Sequence, residues 1–393
     1  MPMKFQGYER PDGQVGVRNH LLVMATCDCA YQEALKIADA IPDSIAITQW
    51  CGCGNDSMVA NQMIGIANNP NIGATLLVGH GCETITVDVL GQGIEKSGKP
   101  LANVVSQRDG GTIKTIEKGT RILRNMAVEL SKQKRKSSNI KKLIIAIECG
   151  GSDATSGLAA NPAVGNAVDR LIDAGGTAIF SEPLEMTGTE HILARRAINK
   201  EVEKKIYDVI YGAEKWAKAS GVSSRFMSKG NIDGGLSTIE EKSLGAIFKG
   251  GTRPIQGVLE NSRLKLEKPT KPGLYLQDGT GWDVASITHM LAVGAQIAVF
   301  TTGRGATTGH AIAPVIKVTG NPITYSQMED NIEVNAGKII EGKAGITEVG
   351  KEIFDMIIRV ASGEKTKTEI LGYNDFVVWR RDRVAERLIQ ICP

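Results

Sequence analysis

Thiol, imidazole and carboxylate side chains recur in this chain just behind short apolar runs. Cys29 ends HLLVMATCDC (20–29), Cys53 lies in SIAITQWCGCG (44–54), and His80, Cys82 and Glu83 end ATLLVGHGCE (74–83). Cys149 lies in KLIIAIECGGSD (142–153), with Ser152 and Asp153 behind it. Glu182 and Glu185 follow TAIF within 177–185, and Arg304 follows AQIAVF within 295–305. If the runs are strands of one sheet, Cys29, Cys53, Cys82 and Cys149 approach a single edge. A soft metal ion or an iron–sulfur cluster could use such thiols. The carboxylates Glu83, Asp153, Glu182 and Glu185 suit a hard divalent ion with water completing its shell. The alternative for each thiol is a small buried hydrophobe.

Arginines are the natural partners of a substrate carboxylate, because guanidinium pairs with it bidentately. Arg18 (with Asn19 beside it), Arg108 and Arg304 are the candidates, and the glycines flanking Arg304 leave room for a ligand. Ser152 and Asp153 join them as substrate-binding candidates. Lys242 and Glu241 in TIEEKS could supply an acid or a base, or form a solvated helix face. His310 closes TTGRGATTGH and is a further acid or base candidate, whereas His289 falls in an apolar helix and is expected in a core or interface. There is no G-x-G-x-x-G after a strand, no phosphate-binding G-x-x-x-x-G-K-[ST] and no G-x-S-x-G elbow. Hydride transfer, ATP use and serine hydrolysis lose ground. A metal-assisted reaction on a small anionic substrate remains.

The elements that must carry these residues alternate. The Val-, Ile- and Leu-rich runs read as buried parallel strands. Helical spacing separates them at 31–41, 57–67, 84–96, 112–134, 162–174 and 190–220, the last long enough to be broken. The fold class is α/β, with two doubly wound parallel-sheet lobes and helices on both faces. Chemistry in such sheets gathers beyond the carboxyl ends of the strands. The opening 7–20 is polar and turn-rich, and SKQKRKSSN (131–139) reads as a solvated helix end and linker. The expected domains are therefore 1–136 and 140–393, the second open to subdivision near the proline-containing connector 263–273. A Ser237–Glu240 spacing resembles a capping box.

At 393 residues, 42% apolar and 23% charged, the chain is an ordinary globular protein of more than one core. A net charge of +3 and 5% aromatics do not suggest a nucleic-acid partner. No apolar stretch reaches the roughly 18 residues of a membrane helix, and MPMKFQGYERPDG has no apolar signal region. A cytoplasmic location is expected. The seven cysteines would then stay reduced.

With these residues in hand, the chain resembles the altronate/galactarate dehydratase family along nearly its whole length. The likeness runs through GYERPDGQVGVRNH, CGCG and GHGCE to ECGGSDATSGLAANPAVG (148–165) and SEPLEMTGTEH (181–191). It continues through GGLSTIEEKSLGAIFKGG and VFTTGRGATTGHAIAPVIKVTGNP. The resemblance implies dehydration of a sugar acid, an altronate-like aldonate or an aldarate, to a 2-keto-3-deoxy acid. It also implies a divalent metal, Fe2+ first, with Mn2+, Mg2+ or an iron–sulfur cluster as alternatives. Cys29, Cys53, Cys82 and Cys149 match family positions, and with His80 and Glu83 they are the expected metal ligands. Single-chain members carry a small β-rich domain ahead of this region. This chain thus looks like a large subunit that needs a separate small one, in a homo-oligomer. Gln49 or Trp50 stands where relatives often have histidine, which opens a second reading: (2R)-sulfolactate sulfo-lyase, releasing sulfite and pyruvate. A non-catalytic subunit of such a complex is a third.

Overall fold

The computed structural model describes residues 3–49, 53, 57–219, 221, 227–260 and 265–380. Strands β1 (Lys4–Glu9) and β2 (Val15–Gly16) pair antiparallel at the start. A parallel sheet follows, built from β3 (His20–Ala25), β4 (Ser44–Thr48), β5 (Ile72–Gly79) and β6 (Leu101–Val105) in the order β4-β3-β5-β6. Every residue of β5 is buried, in keeping with its largely apolar run in a strand covered on both faces.

The segment read as a linker does more than connect. Its end forms β7 (Lys136–Asn139), which pairs antiparallel with β1 and completes a small sheet β2-β1-β7. Arg135 fixes this return: its guanidinium donates to the carbonyls of Gln6 and Val17, both at 2.8 Å, and lies over the Tyr8 ring at 4.8 Å. The polar sequence conceals a strand because its pairing partner lies far away at the N-terminus.

The second parallel sheet comprises β8 (Ile144–Cys149), β9 (Thr177–Phe180), β10 (Ile255–Leu259), β11 (Gly273–Gln277), β12 (Ile297–Thr301), β13 (Val315–Thr319) and β14 (Val334–Asn335). Their order is β10-β11-β9-β8-β12-β13-β14, so the connector near 263–273 joins two neighbours of one sheet. The order of connection reverses between β8 and β12. That reversal opens a crevice at the carboxyl ends of the strands.

Among the described residues three large apolar cores stack the layers. One lies between the large sheet and helices Asn161–Asp173, Lys200–Ala219 and Ile346–Ala361. Another covers the outer face of the small parallel sheet with helices Asp28–Asp39 and Thr112–Ser131. Between the two parallel sheets runs a shared layer that includes helices Ser57–Ala67 and Asp283–Ala292. These two helices approach closely at Gly65, where a Cβ would stand 2.3 Å from the Ala292 carbonyl oxygen. Buried amides stitch the same seam. Asn69 donates to Leu291 O (2.8 Å) and Ala295 O (2.7 Å), and Asn71 to Gln296 O (2.8 Å) and Ile312 O (3.0 Å).

One local expectation holds and another shifts. The long helical stretch 190–220 is indeed broken, into Glu190–Ala194 and Lys200–Ala219. The helix Ile239–Ala246 is capped by Thr238, whose hydroxyl accepts from Glu241 N, one residue later than the Ser237–Glu240 spacing proposes. No helix among the described residues is long and apolar enough to cross a membrane.

Candidate active site

A cavity of about 530 Å³ opens beyond the carboxyl ends of β8, β9 and β11. Its polar lining includes Cys149, Glu182, Glu185, Asn231, Lys242 and Asp283, and Trp216, Trp282 and Trp379 form apolar walls. Each polar group arrives on a distinct element, and each arrival has a local cause.

Strand β8 ends at Cys149, and a glycine pair turns the chain. A Cβ on Gly150 would meet the Phe300 ring at 2.5 Å, so this turn admits only glycine. The Cys149 thiol is buried, 3.2 Å from the Ser152 hydroxyl and 3.9 Å from the Asn161 amide. Burial, with Glu185 adding to it, raises its pKa and keeps it a thiol. Behind it the backbone makes a π turn, Ser156–Ala160, before the helix Asn161–Asp173. Such turns concentrate at functional sites.

Strand β9 delivers two acids. Glu182 takes a left-handed backbone (φ 71°), a conformation that costs a non-glycine residue on the order of 1–3 kcal/mol. Its carboxylate accepts from Cys149 N at 3.0 Å and from the Lys249 ammonium. The following turn, Pro183–Met186, brings Glu185 onto both Lys249 and Lys242. Lys242 comes from the helix Ile239–Ala246 and Lys249 from the turn Ile247–Gly250. Relative exposure is 2% for Glu182, 5% for Glu185, 8% for Lys242 and 0% for Lys249.

Burial on this scale demands pairing, and the pairing divides the two acids. Burial, reinforced by Glu185, pushes Glu182 up to about 8. Burial acts the same way on Glu185, but Lys242 and Lys249 outweigh it and hold Glu185 below the ordinary carboxylate range. Both lysines stay ammonium: burial disfavours the charge, and the carboxylates more than offset it. Lys242 can therefore hold an anion or give up a proton, but it is no base near neutrality. Beneath the cavity Glu148 accepts from Ser286 Oγ at 2.6 Å, and burial, then Glu182, raises it well above its usual range. Asp283, the first residue of its helix, is raised by burial.

The other expected residues are placed as follows. Ser152 contacts Cys149, and Asp153 sits just behind, bonded to Thr155, Ser156 and Asn321. Arg304 donates its backbone N–H to Gly151 O at 3.0 Å, beside the cavity, with its side chain exposed. Glu241 is outside the cavity, exposed, its carboxylate bonded to Ser237. His310 does not line the cavity: it packs between Thr288 (2.9 Å) and Phe376, and burial lowers it to about 3. Arg18 precedes β3 and so lies at the opposite end of its sheet, saturated by Glu369 and the carbonyls of Val17, Val360 and Glu364. Asn19 beside it is bonded to Arg10 and Leu130 O. Arg108 is bonded to Asn103 on the first lobe.

The expected metal ligands divide between the lobes. Cys29, Cys53 and Cys82 are exposed beyond the tips of β3, β4 and β5, while Cys149 belongs to the large sheet. His80 is half-buried, and Glu83 is buried with its carboxylate taken by Thr26 Oγ1 (2.7 Å) and Gly81 N (2.6 Å). Among the described residues no three His, Cys, Asp or Glu side chains converge as a metal site, so the expected set does not fit one ion there. Cys51 and Cys392 lie outside the described residues.

Sequence reasoning missed Lys249, Asp283 and Glu148. For Lys249 the signal was faint, a lysine between Phe248 and a glycine pair. For Asp283 it was better, a G-x-G-W turn opening a helix after an apolar strand.

A doubly wound α/β frame with an acid–ammonium cluster in a crevice at its strand ends suits an enzyme. Residues 140–384 match the family model described as D-galactarate/altronate dehydratase, C-terminal, and residues 7–131 match D-galactarate dehydratase/altronate hydrolase, second domain. The chain belongs to this D-galactarate/altronate dehydratase family. It is 35% identical to (2R)-sulfolactate sulfo-lyase subunit beta of Chromohalobacter salexigens, over 96% of this chain and 97% of that one. It is 31% identical to altronate dehydratase of Bacillus subtilis, over 96% of this chain and 77% of the relative. It is 33% identical to galactarate dehydratase (L-threo-forming) of Escherichia coli, over 92% and 73%. Dehydratases and sulfo-lyases are lyases, and this chain is a lyase.

Proposed function

We propose that the chain dehydrates a sugar acid, an altronate-like aldonate or an aldarate, to a 2-keto-3-deoxy acid by α,β-elimination. The observation that carries this reading is the pair Glu182 and Glu185, three residues apart on one buried cluster with Lys242 and Lys249, where burial and Glu185 raise Glu182 while the two lysines hold Glu185 ionised. A carboxyl kept protonated near neutrality is what the acid of an elimination requires, and the ionised Glu185 keeps it so.

The α-proton of a hydroxy acid is poorly acidic because its removal adds charge beside a carboxylate. The Lys242 ammonium, lining the cavity, would hold that carboxylate and stabilise the aci-carboxylate as it forms. Asp283, a stronger base than an ordinary aspartate, would take the C2 proton. The C2–H electron pair becomes the C2–C3 double bond as the C3–OH bond breaks. Protonated Glu182 gives its proton to the departing hydroxyl, which leaves as water, and the enol becomes the keto acid. Arg304 at the rim would clamp the carboxylate or a distal one. A divalent cation, Fe2+ first, is proposed as a further requirement. No step is assigned to it, since the described residues do not assemble its ligands.

A second reading is supported by the 35% identity to a sulfo-lyase subunit beta over nearly its full length. The same elimination would then expel sulfite from sulfolactate, and a separate small subunit would complete the enzyme. Hexonates, hexarates and sulfolactate should be screened for keto-acid and sulfite release, with the chain alone and co-expressed with a small partner. Release of neither product from any of these acids would sink both readings.

A further inference from the structure

Trp379 reaches the cavity from the end of the chain, yet the opposite lobe holds it. Its backbone N–H donates to Gln62 Oε1 at 3.3 Å, and its carbonyl accepts from Gln62 Nε2 at 2.7 Å. Gln62 is fully buried on the helix Ser57–Ala67 of the first lobe. One side-chain amide thus reads both backbone groups of one residue, as a neighbouring strand would. The next residue repeats the attachment: Arg380 donates to Gln49 Oε1 at 2.8 Å, and Gln49 donates to Thr26 O at 2.8 Å.

The indole, 5% exposed, packs with Met58 and Ala285 and against the His289 ring, centroids 5.2 Å apart. His289 is fully buried, and neither ring nitrogen has a hydrogen-bond partner among the described residues. Burial lowers its pKa to about 3, so it meets the indole as a neutral ring. A buried imidazole with no polar partner serves the structure through its face. Its helix, Asp283–Ala292, begins at the cavity's Asp283.

We propose that Trp379 is the specificity-determining wall of the cavity, and that Gln62 and His289 are the positioning residues that set it. An indole face suits the C–H face of an extended polyhydroxy chain and contributes less to a three-carbon acid. The inference rests on the elimination reading for its substrate, but not for the positioning of Trp379.

The test has two arms. In the kinetic arm, Trp379→Ala raises KM for a hexarate about tenfold, about 1.4 kcal/mol, with kcat little changed. Trp379→Phe recovers most of that loss, and Gln62→Met raises KM in the same direction. In the spectroscopic arm, phenylalanine replaces Trp50, Trp216 and Trp282, leaving Trp379 as the sole tryptophan. Its emission is blue and shielded from acrylamide, and Gln62→Met shifts it to the red and exposes it. If circular dichroism shows that Gln62→Met fails to fold, Gln62→Glu, which keeps the acceptor and loses the donor, makes the same comparison. Unchanged KM in both Trp379→Ala and Gln62→Met overturns the specificity role. Equal quenching with and without the Gln62 amide overturns the positioning role. If the parent turns over no acid at all, the elimination reading fails alone, and the quenching arm still decides how Trp379 is held.

Discussion

The Lys249 ammonium meets the Glu182 carboxylate at a point where the glutamate backbone is left-handed. The conformation persists because the carboxylate is fixed twice, by that ammonium and by the Cys149 N–H. Removing the lysine strips Glu182 of its ammonium partner and leaves Glu185 with Lys242 alone. Lys249→Met should therefore lower stability by about 3–5 kcal/mol, read as a reduced urea midpoint with unchanged slope. An unshifted midpoint would mean the cluster does not support the fold.

Glu182→Gln should reduce kcat about 10²–10⁴-fold while leaving KM near that of the parent, if the residue supplies the leaving-group proton. The pH profile gives the sign. Glu182 is raised to about 8 and is needed protonated, so the rate holds below that pH and falls as pH rises through it. Steady-state kinetics from pH 6 to about 10 should show this alkaline limb in the parent and lose it in the variant.

Arg304 sits beside the cavity glycines with an exposed side chain. A residue that only clamps binds ground state and transition state alike. Arg304→Ala should raise KM, on the order of tenfold for a charge-assisted pair, and spare kcat. Unaltered kinetics would remove it from the site.

Asn71 spends its amide on carbonyls of the second lobe, Gln296 O and Ile312 O. Asn71→Leu orphans both acceptors and should cost about 1–3 kcal/mol by thermal or urea unfolding. The folded fraction should keep its kcat, because Asn71 lies at the opposite ends of the strands from the cavity. A lost kcat at full foldedness would show the seam to be functional.

A required divalent cation should appear in elemental analysis of the purified protein. Chelation should abolish turnover and Fe2+ restore it. Full activity after exhaustive chelation would overturn that part of the proposal.

Strand tips were legible because a strand buried on both faces needs a largely apolar run, which β5 and β8 provide. Cys149, Glu182 and Glu185 are found that way and share the cavity, which Lys242, singled out in TIEEKS on a helix, also lines. What spacing does not encode is which sheet a tip belongs to, so Cys29, Cys53 and Cys82 lie on a different edge from Cys149. Nor does a charge announce its burial: Lys249 reads like any surface lysine until its surroundings are known. Arg18 misled because a residue ahead of a parallel strand lies at the wrong end of it. His310 closes a glycine-rich loop that folds back into apolar packing. The pairing of β1 with β7 was invisible because KSSN has no apolar alternation and its partner is more than a hundred residues away.

The helix Asp283–Ala292 is wedged between both sheets, its buried residues serving each at once. Two family models meet between residues 131 and 140, which invites the view of separable modules. Physically that seam is a fiction. A polypeptide severed there would carry a greasy helix with half its covering gone, so neither fragment inherits a finished interior. The half that carries the cavity is therefore an obligate tenant of the other, and any recombination of such halves across relatives must match the shared wall before it can exchange chemistry.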